Sequence, residues 1–387
     1  MSVPRTVWAL GAVSLLMDLS SELVHSLLPV YMTVVLGASM VAVGIVEGIA
    51  EATASIVKVF SGALSDRMAR RKPLVVLGYG LAMLSKPLFP LAASVPLVLA
   101  ARFMDRIGKG IRGSPRDALI ADVTPEGSRG AAFGLRQALD TIGGFLGPLA
   151  AIGLMFLLAS DVRAVLWFAV IPAVISVAVL VLWVREPGTR ATARSPLSRA
   201  SLREFDAHFW LVVAIGAVMT LARFSEAFLV IRAQGLGLAL ALVPVVLVVM
   251  NIVYTAVAYP AGVAADRGHR KALLAWGLVA LIASDLLLAQ SGSLAVFFAA
   301  IVLWGLHMGL TQGLLSTLVA DAAPEKLRGT AFGAFHFVSG VAMLFASLIA
   351  GALWDAYGAA WTFYAGAGFT ALALAGLLLV RPKAAAE

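Results

Sequence analysis

Residues 105 to 122 read DRIGKGIRGSPRDALIAD, seven charged side chains in eighteen positions. On a helix, positions 102, 105, 109, 112 and 116 fall on one stripe. Arg102, Asp105, Lys109, Arg112 and Arg116 then share a face, with Arg106 turned about 100° away. Asp105 and Lys109 stand as an i,i+4 pair. Three further stripes repeat the pattern: Asp18, Glu22 and His25; Glu47 and Glu51, with Lys58 two turns on; and Arg136 with Asp140. Such interlocked acids and bases suit proton transfer. A carboxyl in a low-dielectric site holds its proton more tightly, and a nearby Arg or Lys makes it let go. Changing water access or partner distance then loads or unloads the group.

The surroundings are apolar. The 387-residue chain is 61% hydrophobic and 13% charged, with a mean hydropathy of +0.96, where a soluble chain carries roughly a quarter charged residues. Apolar runs near the ~20 residues of a bilayer-spanning helix recur throughout. They predict twelve spans, at 6–35, 41–65, 73–93, 96–120, 130–158, 162–184, 207–233, 239–264, 271–290, 294–320, 329–354 and 359–380. The short alternating strands of an outer-membrane barrel are absent. The net charge of +8 sits in short loops, a mark of membrane topology rather than of nucleic-acid binding. There is no cysteine, hence no disulfide and no thiolate metal site. A charge at the bilayer centre costs about 3 kcal/mol or more. The charged stripes must therefore face a water-filled cavity or one another.

Basic residues in SDRMARRKP, in the Arg- and Ser-rich segment 185–204, in DRGHRK and in PEKLRG lie on one side; the opposite loops are nearly free of them. This places both termini in the cytoplasm, with the first span a retained helix rather than a cleaved leader. The halves also repeat. SGALSDRMARRKPL matches AGVAADRGHRKAL, so Gly62, Asp66, Arg67 and Arg70 pair with Gly262, Asp266, Arg267 and Arg270; IADVTPEGSRGAAFG matches VADAAPEKLRGTAFG. The expected organisation is an all-α membrane protein of two pseudo-symmetric six-helix bundles, residues 1–184 and 207–387, joined by a cytoplasmic linker at 185–206. Parallel repeats of this kind are a transporter architecture, with the site between the halves.

These residues resemble the major facilitator superfamily across essentially the whole chain. GALSDRMARRK is similar to the family's loop signature after span 2, and GVAADRGHRK to its weaker second copy. Arg106-x-x-Lys109-Gly110 is similar to the family's R-x-x-Q-G element, with Lys for Gln, and Arg112 where a second small residue is usual. Gly134, Gly143, Gly147 and Pro148 match the spacing of the antiporter motif in span 5, whose terminal Gly-Gly is Ala151-Ile152 here. The resemblance implies a drug/proton antiporter-like member. In physical terms, the Asp66 carboxylate faces a helix N-terminus, that of span 11 near Gly329, and with Arg67 and Arg70 latches the halves in one state. Gly143, Gly147 and Pro148 let span 5 approach a neighbour and bend.

The second half is poorer in charge, and Arg223 and Glu226 read as a self-contained pair. Its other candidates are His307, His336, Asn251, Tyr254, Gln312, Phe224, Phe335 and Phe337, with Asp285 peripheral. The leading expectation is a proton-driven exporter of a small amphiphilic molecule, working by alternating access in a bacterial inner membrane. Asp18 and Glu22 are the favoured proton carriers, with Arg106 as modulator and Asp140 beside them. His25, Glu47, Glu51, Lys109, Arg136, Arg223, Glu226, Asn251, Tyr254, Gln312 and His336 are the cavity candidates. Gly62, Asp66, Arg67, Arg70, Arg112, Gly143, Gly147, Pro148, Asp266 and Arg267 are the gating candidates. The energy source is the proton gradient, without cofactor, and a single chain suffices. Three alternatives stay open: a divalent metal ion held by Asp18, Glu22 and His25; an organic anion held by Lys109, Arg112 and Arg136; and a non-transporting sensor. An enzyme is not expected, because neither H-E-x-x-H nor G-x-S-x-G occurs and IGKGIRGS lacks P-loop spacing.

Overall fold

The protein is described here from a computed structural model covering residues 4–68, 70–125, 128–186, 205–323 and 328–379. Most of the Arg- and Ser-rich linker lies outside the described residues. Twelve helical spans follow in order: α1 Arg5–Val30, extended by a π turn at Tyr31–Val35; α2 Met40–Arg67; α3 Lys72–Ser85 with a short turn at Leu88–Leu91; α4 Val95–Val123; α5 Arg129–Leu157; α6 in two pieces, Val162–Phe168 and Val170–Trp183; α7 in two pieces, Ala207–Ala222 and Ala227–Gly235; α8 Val245–Ala264; α9 Arg270–Gln290; α10 Leu294–Ala322; α11 Arg328–Tyr357; and α12 Ala359–Leu379. Local chemistry sets their starts. The side chains of Ser39, Asp161, Asp206 and Ser293 accept from backbone N–H groups in the first turns of α2, α6, α7 and α10, and proline occupies the first turns of α3 and α4.

Eleven of these spans are long and apolar enough to cross a bilayer. The exception is α4, whose 29 residues give roughly 43 Å of helix but carry the charge run. It lies between α2 and α3, within the first half. The sequence repeat holds less well at the backbone. After α2 the chain turns extended at Met68, whereas α8 continues through a π turn, Ala265–His269, directly into α9.

The apolar core shows how the halves meet. At the end of the bundle away from the basic loops, one continuous cluster draws on both halves. There Leu28, Tyr31, Met40 and Val43 pack with Phe228, Val246, Met250 and Ala350. At the basic-loop end the core separates. One cluster contains only first-half residues such as Leu10, Ile120 and Leu180, and two contain only second-half residues such as Phe209, Val319 and Leu278. The halves are joined at one end and parted at the other.

Candidate functional site

Between the parted halves lies a cavity of about 1040 Å³ that reaches from mid-bundle toward the basic-loop end. Its first-half wall carries Asp18, Glu22, Glu51, Lys58, Lys109, Arg112, Arg116, Asp117, Arg136 and Asp140. Its second-half wall is mostly neutral, with Asn251, Ile252, Tyr254, Met308, Gln312 and His336. The expected asymmetry between the halves is therefore a property of the cavity itself.

Helices α1 and α5 form one flank. A Cβ on Gly143 would strike the backbone carbonyl of Leu15, and one on Gly147 would lie 2.8 Å from Glu22 Cβ and 2.9 Å from the Leu19 carbonyl. These two glycines thus draw α5 onto the turn of α1 that bears Asp18 and Glu22. Gly134 has no such role, with nothing within 4 Å, and Pro148 lies inside α5 beyond the contact. Asp140 forms an ion pair with Arg136 at 2.9 Å and lies 3.8 Å from Arg116. Asp117 holds the same two arginines, at 3.1 Å to Arg116 and 3.4 Å to Arg136. Asp18 faces Arg112 at 3.6 Å, and the Arg112 guanidinium rests over the Tyr79 ring. Glu22 lines the cavity with no ion pair or hydrogen bond among the described residues.

Above the cavity the charges are buried in pairs. Arg102 donates to Glu47 at 2.9 Å and to Nδ1 of His25 at 2.7 Å. Since Arg102 can only donate, Nδ1 is the acceptor and the ring proton sits on Nε2. That nitrogen faces Glu226 of α7 at 3.9 Å. Glu47, expected in the cavity wall, is instead 1% exposed and committed to Arg102. Asp105 does not pair with Lys109. Lys86, at the end of α3, reaches it at 2.7 Å and also donates to Ser21. Arg106 is buried beside Asp105 and bonds Glu51 at 3.3 Å. Lys109 is left exposed to the cavity.

The second half departs further from expectation. The predicted continuous span 207–233 is broken at Arg223–Glu226, where the Ser225 hydroxyl accepts from the Ala227 N–H in place of the backbone. The break turns Arg223 and Glu226 apart. Glu226 lines the cavity next to His25, while Arg223 bonds the Gln312 amide oxygen at 2.6 Å in the amide orientation that satisfies both. They form no pair with each other. His307 is tied to the Gly277 carbonyl in the α9–α10 packing. Asp285 is not peripheral: it is fully buried with both carboxyl oxygens lacking a hydrogen-bond partner. Among the described residues no three acidic or histidine side chains converge on a metal position, so Asp18, Glu22 and His25 do not form the metal site considered above.

At the basic-loop end, in this conformation with the halves parted, it is Arg71 that makes the charge contacts. It bonds Asp66 and Asp122 at 2.9 Å each, and Ser65. Arg67, Arg70 and Arg267 are exposed. Gly62 packs against Ser114 of α4. The side chain of Asp266 lies outside the described residues, and Gly329, expected to receive Asp66, falls in the first turn of α11. At the opposite end sits a contact that sequence reasoning missed. Asp355, at the end of α11, accepts from the backbone N–H groups of Met40 and Val41, which open α2, at 3.0 and 2.8 Å.

A family model described as Major Facilitator Superfamily matches residues 10–253 and 212–387. The chain belongs to that superfamily. A major facilitator of Methanocaldococcus jannaschii, described as an uncharacterized MFS-type transporter, is 32% identical over 359 residues, covering 90% of this chain and 88% of that protein. The multidrug resistance protein MdtH of Edwardsiella ictaluri is 24% identical over 323 residues, covering 83% of this chain and 79% of that protein. The crystal structure of a POT family transporter with a bound peptide conjugate has a TM-score of 0.81 at 14% identity, covering 97% of this chain and 95% of that one, which shows a shared fold. This major facilitator is an integral membrane transporter and not an enzyme.

Proposed function

We propose that this protein is a proton-coupled antiporter that exports a small amphiphilic molecule by alternating access, with the basic-loop end in the cytoplasm. The conformation described is then the one open to the cytoplasm. The observation that carries the reading is Glu22: an unpaired carboxyl in the cavity wall, one helical turn from Asp18, whose own partner Arg112 stands off at 3.6 Å. A group without a strong partner can exchange a proton for a ligand at small cost, whereas Glu47 and Asp105 are locked in tight buried pairs.

In the cycle, ligand enters from the cytoplasm and displaces the proton from Glu22 or Asp18. Closure at the basic end and release of the α2–α11 seam then expose the cavity to the other side, where protons reload the carboxyls and expel the ligand. The neutral wall around Ile252, Tyr254 and Met308 receives the apolar body. Sequence likeness to a protein named for multidrug resistance supports export, and so does the glycine spacing of α5.

The test is reconstitution into vesicles with an acidic interior and an internal pH dye. Lipophilic amines, amino acids, organic anions and divalent metals are added outside in turn. Antiport appears as solute-dependent proton release, reduced in Glu22→Gln and in Asp18→Asn and lost when both are changed. A solute flux that leaves internal pH unchanged contradicts proton coupling.

A further inference from the structure

The pairing pattern in the cavity leaves specific charges over, and we propose that they mark a site for a zwitterionic ligand, its anionic end on Lys58 and Lys109 and its cationic end on Glu22 and Glu226. This rests on the reading of the cavity as the transport site.

Five basic side chains line the cavity. Arg112 is engaged by Asp18 and the Tyr79 ring, Arg116 by Asp117 and Asp140, and Arg136 by Asp140 and Asp117. The side-chain ammonium groups of Lys58 and Lys109 have no ion pair or hydrogen bond among the described residues. They occupy the α2–α4 flank together. The Lys58 stem runs past Gly113, whose Cβ position is 3.7 Å from Lys58 Cε, one turn along α4 from Lys109. Both lysines line the cavity.

The acids divide in the same way. Asp18, Asp117, Asp140 and Glu51 are held by arginines. Glu22 has no partner, and Glu226 has only His25 at 3.9 Å. These two stand on α1 and α7. No ion pair joins either of them to Lys58 or Lys109 among the described residues. The cavity therefore keeps two cations without a close acid on the α2–α4 side, Glu22 without a close base, and Glu226 with only the neutral His25 ring beside it. A purely cationic ligand would meet the lysines, and a purely anionic one the glutamates, each with a like-charge penalty. A molecule with one charge of each sign satisfies both flanks. Its ammonium also competes with the proton at Glu22, which is the competition an antiporter requires.

The experiment measures binding by calorimetry for three ligand series on matched skeletons: ω-amino acids of four to twelve carbons with phenylalanine, the corresponding carboxylates, and the corresponding amines. One ω-amino acid or phenylalanine should bind about tenfold or more tightly than both of its singly charged analogues. Lys58→Met and Lys109→Met should each remove that advantage by weakening amino-acid binding while amine binding grows tighter as the like-charge penalty is relieved, and Lys58→Arg and Lys109→Arg should retain it. Equal binding of amine and amino acid, indifference to the lysine variants, or no binding in any series overturns the zwitterion site. Binding is read without a gradient, so a protein that binds the amino acid but moves no protons would sink the antiport reading alone.

Discussion

The carboxylate of Asp355 caps α2 from the opposite half of the molecule, accepting from the Met40 N–H at 3.0 Å and from Val41 at 2.8 Å. The contact lies on the tightest seam between the halves, where a Cβ on Gly44 would strike the Ser347 carbonyl and one on Gly351 the Met40 carbonyl. A carboxylate at a helix N-terminus contributes about 0.3–1 kcal/mol when exposed and up to ~2 kcal/mol when partly buried. Asp355 is exposed, so Asp355→Asn should shift the population toward the state open at that end by about two- to fivefold. Because the chain has no cysteine, a single Ala350→Cys reporter, 3% exposed in the closed seam, reads this directly. Its labelling should quicken in the Asp355→Asn background.

Adjacent glycines in α5 should respond in opposite ways. Gly143 has no room for a methyl group against the Leu15 carbonyl, whereas Gly144 has nothing within 4 Å. Gly143→Ala should push α1 and α5 apart, costing about 1–3 kcal/mol as overpacking and disturbing the turn that carries Asp18. Gly144→Ala should be neutral or slightly stabilising. Thermal denaturation midpoints of the two variants decide the matter.

Among Arg67, Arg70 and Arg71 at the end of α2 and just beyond it, only Arg71 should matter for stability. It is 5% exposed and joins Asp66, Asp122 and Ser65. Asp66 stays half exposed, so losing the shared Arg71 partner costs roughly 1.5–3 kcal/mol, the worth of a charge-assisted hydrogen bond, and Arg71→Ala should lower the midpoint. Arg67→Ala and Arg70→Ala, which remove exposed side chains, should shift it little.

Asp285 offers the reverse case. Its side chain is fully buried beside Gly366 and Phe224, with neither oxygen bonded. Leaving such a group unsatisfied costs about 1–3 kcal/mol. Asp285→Leu should raise the thermal midpoint while preserving transport; loss of transport with an intact fold would assign Asp285 to the cycle.

Eleven of the spans were legible because each must be about as long as the bilayer is thick and largely apolar, a constraint written into α1, α2 and α12 alike, and α4 was legible from its length and its place between its neighbours. The charge stripes were legible for the same reason, since 3.6-residue periodicity decides which side chains share a face. Their partners were not. Asp105 bonds Lys86 rather than Lys109 because a different helix brings the lysine closer than the local i,i+4 geometry does. His25 meets Glu226 only because α7 breaks at Ser225. Arg71 displaces Arg67 and Arg70 because the chain after Met68 turns its side chain inward toward Asp122 of α4. Each outcome depends on tertiary placement that periodicity does not encode. Asp355 escaped notice for a related reason: a carboxylate at a helix end looks like surface until the facing N-terminus is known.

The central claim is that ligand and proton compete for Glu22 and Asp18. The most direct measurement is proton release from purified protein in weakly buffered solution upon addition of a ligand found to bind. The account predicts release on binding, reduced in Glu22→Gln and in Asp18→Asn and absent when both are changed. Binding of undiminished affinity with no proton released at any pH between 5 and 8 would contradict it.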